Sequence, residues 1–279
     1  MSGDANKQLI FGLEEQWRIF QTRHAKFLEG YDNLMTAIDT AFLRDLMTPQ
    51  GNDVFYFALG RVCVEDFWEL LLLAGNGYGI GAHKMLRALY ERAVTLLYLG
   101  THPEHIDNFL DYDIITKHKI GRKITETGYS VPGLTDEVLE KNRKEFERVK
   151  NKFMVTDCEK CETTRLNHSW NKLDFVSMAN TTPLKKLLVP AYYIPMYHTH
   201  STATAIYARL QPNGSGFNPD LQPDEATRAL RYAHEIILYV LRAQNDHFKM
   251  QALGQALGIA TREFCEIWPD TNADDLCKG

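Results

Sequence analysis

Two strongly apolar stretches, Val54 to Ala74 and His83 to Gly100, are joined by Gly75-Asn76-Gly77-Tyr78-Gly79-Ile80-Gly81, and this pair constrains the fold more than any other feature of the chain. The first stretch is apolar on nearly every side, as expected of a helix buried in the middle of a bundle. In the second, His83, Arg87 and Glu91 recur every four residues amid Leu86, Leu89, Tyr90, Leu96 and Leu97. A four-residue step drifts little around a 3.6-residue helix, so the three polar side chains share one stripe. A buried guanidinium is costly without a carboxylate, and Glu91, one turn along, is its nearest candidate partner. Two readings stay open: an ordinary i,i+4 salt bridge worth a few tenths of a kcal/mol, or a polar cluster set inside the bundle for function.

The glycine-rich joint invites comparison with a phosphate loop, and the comparison fails. The glycines at 75, 77, 79 and 81 do not follow the G-x-G-x-x-G order, no strand pattern precedes them, and no Gly-Lys-Ser/Thr occurs in the chain. A tight turn between two helices is the better account.

The remaining segments read as helices around this hairpin. From Leu13 to Ile38, positions 13, 17, 20, 24, 27, 31, 34 and 38 carry Leu, Trp, Phe, His, Phe, Tyr, Leu and Ile. Steps of four and three mark a bundle seam and predict one long helix, within an N-terminal section of residues 1–53. Thr48-Pro49-Gln50-Gly51-Asn52 should end that section, with Asp53 capping the next helix. Another helix follows Thr101-His102-Pro103, expected to carry Ile106, Phe109, Leu110, Ile114, Ile115 and His118 inward and to end near Gly128. Thr135 starts a charged helix with only a thin apolar stripe, and Pro223 or Asp224 starts a last long one with Leu230, Ala233, Ile237, Leu238 and Leu241 inward. No stretch sustains period-two alternation, so the expected fold is all-α: a single bundle-like domain of roughly six to eight helices with a buried central hairpin. Its core is expected over residues 54–253, with an irregular insertion at 155–182 and a C-terminal tail with a short helix over 254–279.

Charge and cysteine usage narrow the partners. The 31 basic and 36 acidic residues leave a net charge of −5, which gives no overall footprint for nucleic acid or an anionic membrane. No apolar run is long enough to span a bilayer and the N-terminus has no signal core, so a cytoplasmic location with no membrane partner is expected. Five irregularly spaced cysteines fit reduced thiols better than a disulfide framework. Cys158 and Cys161, with His168 nearby, supply three zinc-type ligands where a structural site needs four, so no metal and no cofactor is expected. His234-Glu235 lacks the second His of a metalloprotease helix, and no Glu is followed three residues later by His, as a di-metal bundle requires.

The second concentration of polar groups lies at Pro190 to Ser201, where Pro190 and Pro195 break the helical pattern among Tyr192, Tyr193, Tyr197, His198 and His200. Imidazoles at such a break are candidate acid–base groups. The alternative is a kinked core helix in which Ser201 or Thr202 caps the next turn.

Leu86-Arg87-Ala88-Leu89-Tyr90-Glu91, Asp111-Tyr112, Trp170 and Tyr197-His198-Thr199-His200-Ser201 together resemble an uncharacterised bacterial all-α family, domain of unknown function 5677, over roughly Val54 to Arg242. Arg87, Glu91 and His200-Ser201 match its characteristic positions. More distantly, the chain is similar to the helical ribonuclease and nucleotide-binding domains of prokaryotic toxin and defence systems known as HEPN. Those carry an Arg and, four to six residues later, a His; here Arg242-Ala243-Gln244-Asn245-Asp246-His247 has that spacing, with Ala where a polar residue is usual.

Two functions are therefore carried forward. One is metal-independent RNA cleavage, with His200 or His198 as acid or base, Arg87 stabilising phosphorane-like charge, and Glu91 and Tyr197 completing the site. The other is a non-catalytic helical module that forms homo-oligomers and binds a partner or a small anionic ligand. The expectation that separates a site from a scatter of polar residues is that Arg87, held by Glu91, meets His200 and Tyr197 across the bundle.

Overall fold

The computed structural model describes residues 12–158, 163–211, 214–217, 222–269 and 274–277. Its elements are helical apart from one two-stranded hairpin among the described residues. The all-α expectation holds at that level, but the chain is cut into more helices than six to eight because several expected helices are broken. Where one bundle-like domain was expected, the contacts fall into two compact units, residues 1–98 with 179–279, and residues 99–178.

The first unit begins with the predicted seam, but not with one continuous helix. It is divided into α1 (Glu14–Arg23), α2 (Ala25–Glu29) and α3 (Tyr31–Phe42). His24 leaves helical geometry at φ −113°, ψ 30°, and Gly30, a weak helix former, separates α2 from α3. The seam holds at Phe20, His24, Phe27, Leu34 and Ile38, which are buried, whereas Trp17 and Tyr31 are partly buried and Leu13 is exposed. Side-chain periodicity reports which face is covered, and it is blind to a local break that keeps that face inward.

The central hairpin consists of α4 (Asp53–Gly75) and α5 (Gly79–Thr101), and the joint is a tight turn as expected. Gly77 sits at φ +75°, a conformation that side chains disfavour. At Gly79 a Cβ would lie 2.3 Å from the carbonyl oxygen of Gln222, so only glycine lets α5 start this close to the chain entering the last long helix. Asp53 does not cap its own helix. Its carboxylate accepts from the Gln50 amide at 2.8 Å and pairs with His247 Nε2 at 2.8 Å.

The hairpin is not the most buried part of the molecule. Phe67, Leu86, Leu89 and Leu96 are inaccessible as expected, but Trp68 and Leu71 are only partly buried, and Val54 and Leu72 are more than half exposed. The more enclosed element is α11 (Pro223–Phe248), exposed at its ends but buried continuously from Ala233 to Leu241. It packs along α4, where the buried Gln244 Nε2 donates to the Tyr56 carbonyl at 2.8 Å. Residues 254–279, expected to be a tail with a short helix, begin inside α12 (Gln251–Ile267), whose Leu253, Leu257, Ala260 and Phe264 are buried and which packs against α3 and α11.

A further correction concerns the thiols. Cys265 and Cys277 are joined in a disulfide that ties α13 (Asp274–Cys277) back to α12. Irregular spacing was a poor guide because these two thiols are only 12 residues apart, within reach of one another. Cys63 is free and buried. The Cys161 half of the zinc motif and the Cys158 side chain lie outside the described residues, and no group of three or more potential metal ligands occurs among those described.

The second unit holds α6 (Ile106–Thr127), α7 (Asp136–Val149), the antiparallel strands β1 (Met154–Cys158) and β2 (Thr163–Leu166), and the start of α8 (Phe175–Asn180). Gly128 closes α6 in the left-handed conformation, and Thr135 Oγ1 caps α7 by accepting from Val138 N. Its core is small: Ile115, Val149 and Phe153, flanked by Tyr112, Ile114, Phe146 and Leu166. The rest of α7 is largely solvated, as its sequence requires.

Candidate functional site

The site lies within the first unit, where the polar stripe of α5 faces the proline-broken segment. That segment passes from a 3-10 turn at Pro183–Leu187, through a widened helical turn at Val189–Tyr193 containing Pro190, into α9 (Ile194–Thr199) with Pro195 in its first turn. Pro190 and Pro195 lack the N–H groups that a regular helix would use, which accounts for the change of winding. The chain then leaves α9 through His200 in extended geometry, φ −101°, ψ 158°. Thr202 Oγ1 caps α10 (Ala203–Tyr207) by accepting from Ala205 N at 3.1 Å. The segment is thus a kinked helix with a restart capped by Thr202, and the break places His200 beside the α5 stripe.

Arg87 is the centre of the arrangement. Its Nε donates to Glu91 Oε1 at 2.7 Å, its guanidinium carbon lies 4.7 Å from the centre of the Tyr192 ring, and Nη1 stands 3.4 Å from His200 Nε2. A guanidinium can only donate, so the last contact requires His200 Nε2 as acceptor. The side chain is 18% exposed against 41% for Glu91, so this pair is neither a solvated surface bridge nor a buried one. Burial raises the phenol pKa of Tyr192, while the adjacent Arg87 opposes that rise. The phenol stays protonated at neutral pH and serves as a platform.

One turn earlier on the same stripe, His83 is buried and its Nε2 lies 2.9 Å from Glu225 Oε2, at the start of α11. Glu225 Oε1 accepts from Arg228 Nη1 at 2.6 Å. The His83 ring centre is 6.3 Å from that of His198 on α9. Burial lowers the pKa of both imidazoles; Glu225 opposes the shift at His83, and Arg209 adds to it at His198.

The structure thus brings Arg87, Glu91 and His200 together, with His198 against His83 one turn away. Tyr197 is on the same segment and is 45% exposed, and its backbone carbonyl accepts from Thr202 Oγ1 at 2.9 Å. Glu225 was missed by sequence reasoning. It stands 142 residues from its partner in a helix whose first turn reads as ordinary capping acidity, and nothing local marks it. Tyr192 and His83 were visible as members of polar clusters without a stated role. The pair with HEPN-like spacing is engaged elsewhere: His247 bonds Asp53, and Arg242 lies 5.9 Å from the Tyr239 ring centre.

The model of a family of unknown function, DUF5677, matches residues 55–218, more than half of the chain. The match includes Arg87, Glu91, Tyr192, Tyr197, His198 and His200 and stops before Glu225. No curated protein and no solved structure matches the chain.

Proposed function

We propose, for a chain that belongs to the DUF5677 family, that the α5 stripe and the proline-broken segment bind a small anionic group, a phosphate ester or a carboxylate. The observation that carries this reading is the Arg87 guanidinium fixed by Glu91 at 2.7 Å and seated on Tyr192, with its Nη1 edge beside His200. Glu91 occupies Nε, so Nη1 and Nη2 retain N–H donors for an oxyanion, and the neutral His200 ring, whose Nε2 accepts from Arg87, adds its Nδ1–H. A guanidinium already oriented loses little freedom on binding. Titration calorimetry of the full chain with inorganic phosphate and with acetate tests the reading. Binding that is lost in Arg87→Ala and weakened in His200→Ala supports it, and equal heats from wild type and both variants would sink it.

Metal-independent RNA cleavage is the second reading, favoured by the contact between His200 Nε2 and Arg87 Nη1. In it, His200 takes the proton of the ribose 2′-hydroxyl, Arg87 neutralises the phosphorane oxygens, and His198 returns a proton to the leaving 5′-oxygen, giving a 2′,3′-cyclic phosphate. Labelled RNA incubated with the protein and excess chelator decides it, since cyclic-phosphate ends should accumulate with wild type and not with Arg87→Ala. Self-association belongs to the same proposal, with Ile206 and Tyr207, exposed on α10 shortly after His200 in the chain, as an apolar surface. Analytical ultracentrifugation measures it.

No helix among the described residues is long and apolar enough to cross a membrane.

A further inference from the structure

The anion site uses only part of the positive charge on this face of the first unit. Around a 3.6-residue helix, His83, Arg87, Glu91 and Lys84 succeed one another in that order across α5. Their exposure rises in the same order: 2% for the His83 side chain, 18% for Arg87, 41% for Glu91, and a fully solvated class for Lys84. The stripe therefore runs from the interior out to a rim, and Lys84 stands on that rim one turn before Arg87. Residues three apart on a helix are neighbours, about 5–6 Å between Cβ atoms. Arg87 is held by Glu91, whereas the Lys84 ammonium has no hydrogen bond or ion pair among the described residues. Arg209, just beyond α10, is a second such cation. Its Nη1 donates to the Ala205 carbonyl, and it meets no carboxylate among the described residues. Both cations lie near His198, the residue two before His200: the ring of His83, next to Lys84 in the chain, is 6.3 Å from that of His198, and Lys84 and Arg209 each oppose protonation of the His198 imidazole. Exposed charges act on one another over roughly a Debye length, about 8–10 Å.

We propose that the site takes a diphosphate, two phosphoryl groups joined through one oxygen, with the first on Arg87 and His200 and the second between Lys84 and Arg209. The charge balance favours two anionic groups over one. Of the carboxylates nearby, Glu91 holds Arg87 and Glu225 is taken up by His83 and Arg228, at 2.9 and 2.6 Å, so Lys84 and Arg209 are left uncompensated in a chain whose net charge is −5. Like charges gathered at one rim repel, and an anion settling between them removes that cost. A single phosphate or carboxylate on the Arg87 edge leaves the rim pair unanswered. Two linked phosphoryl groups match cations one helical turn apart, and each phosphoryl group offers several acceptor oxygens to a guanidinium fork or an ammonium.

The inference rests on the anion-site reading and narrows its ligand class, so the experiment separates the two. Inorganic phosphate, pyrophosphate and adenosine diphosphate are titrated calorimetrically into the full chain at one pH and one ionic strength, without divalent cations. Pyrophosphate should bind at least about tenfold more tightly than phosphate, the scale of one added charge-assisted contact. Lys84→Gln and Arg209→Gln should each lower the ratio of pyrophosphate to phosphate affinity by roughly threefold or more. Lys26→Gln, the same change of charge on α2, should leave that ratio unchanged, which separates a local contact from the effect of net charge. Arg87→Ala should abolish binding of all three ligands. Adenosine diphosphate binding as tightly as pyrophosphate, with the same dependence on Lys84 and Arg209, supports the inference with a nucleotide end as the source. Much weaker binding of adenosine diphosphate supports it with the free diphosphate as the source. Phosphate that binds as tightly as pyrophosphate, or a ratio untouched by both rim variants, would overturn the second subsite and leave the anion site standing. If neither phosphate nor pyrophosphate binds, both readings fall. Lys84 is exposed and without partners among the described residues, so its variant remains informative if loss of the Arg209 contact disturbs α10.

Discussion

The first unit holds two sets of imidazoles under opposite conditions. His234, on α11, and His24, packed beside that helix, lie in the hydrophobic core. His234 is wedged between Phe27 and Phe264, with ring centres at 5.4 and 5.0 Å, and its Nδ1 accepts from Trp268 Nε1 at 3.3 Å. His24 packs on Phe20 and meets Thr227 Oγ1 at 3.2 Å. Neither has a carboxylate partner among the described residues, and burial drives His24 down to about 4 and His234 down to about 3. Along the α5 stripe, by contrast, His83 has Glu225 and His200 has Arg87. The difference teaches how to sort polar residues in a helical protein. An imidazole ringed by aromatics is held neutral as a packing piece, whereas one facing fixed charges on a broken segment retains a chemistry that the surroundings can tune.

The largest effect that would test this division comes from the packed side of α5 itself. Leu89 is fully buried two residues from Arg87. Leu89→Ala should cost about 2–5 kcal/mol in denaturant unfolding, as cavity-forming substitutions do. A loss under about 1 kcal/mol would show that this face of α5 is not the core that the division assumes.

Acid should separate the two sets next. A His whose folded pKa lies below its unfolded value of 6.5 contributes stability that is fully present above 6.5 and lost as pH falls toward the folded value, because the unfolded chain binds the extra proton. For His24 the window runs from about 6.5 to about 4, and for His234 from about 6.5 to about 3. Each adds a slope of about 1.4 kcal/mol per pH unit within its window. Melting temperatures of wild type should therefore fall steeply below pH 6, and His234→Phe should flatten part of that fall even if it is less stable at pH 8. Parallel curves for the two proteins would place His234 outside the buried set.

The sequence carried some of this arrangement and not the rest, for identifiable reasons. Helical seams were legible because burial leaves a periodic trace: positions 20, 24, 27, 34 and 38 are covered as their spacing implied. The breaks at His24 and Gly30 left no trace, since each half keeps the same face inward. Apolar content misled in the other direction. α4 is the more apolar helix, yet Val54 and Leu72 are more than half exposed, while α11, rich in charged residues at its ends, is the enclosed one. Position in the packing order decides burial, and a single helix does not encode it. In the candidate site, the Arg87–Glu91 pair is local and was readable from a spacing of four. The approach of His200 was inferable only because two prolines marked the break that delivers it. Glu225 is a tertiary partner with no local signal at all.

The smallest stability effect and the sharpest functional one should coincide at Arg87. Its pairing with Glu91 is an i,i+4 contact that leaves Glu91 41% exposed, a setting in which such pairs stabilise a helix by roughly 0.3–0.5 kcal/mol. The ring contact with Tyr192 adds a term of about 0.5–1 kcal/mol at a partly exposed site. Arg87→Ala should therefore lower stability by no more than about 1–1.5 kcal/mol, well below the Leu89 cavity. Glu91→Gln keeps a hydrogen-bond acceptor for Nε and should cost still less. The guanidinium supplies the only fixed cation among the four side chains that meet here, so its removal should abolish phosphate or sulfate binding, and Glu91→Gln should weaken binding only by loosening the orientation of Arg87. Measuring unfolding and ligand titration on the same two variants reads both quantities at once. A drop of several kcal/mol in Arg87→Ala with no change in ligand heat would identify the cluster as a structural ion pair, and would move Arg87 to the side of the division where His24 and His234 stand.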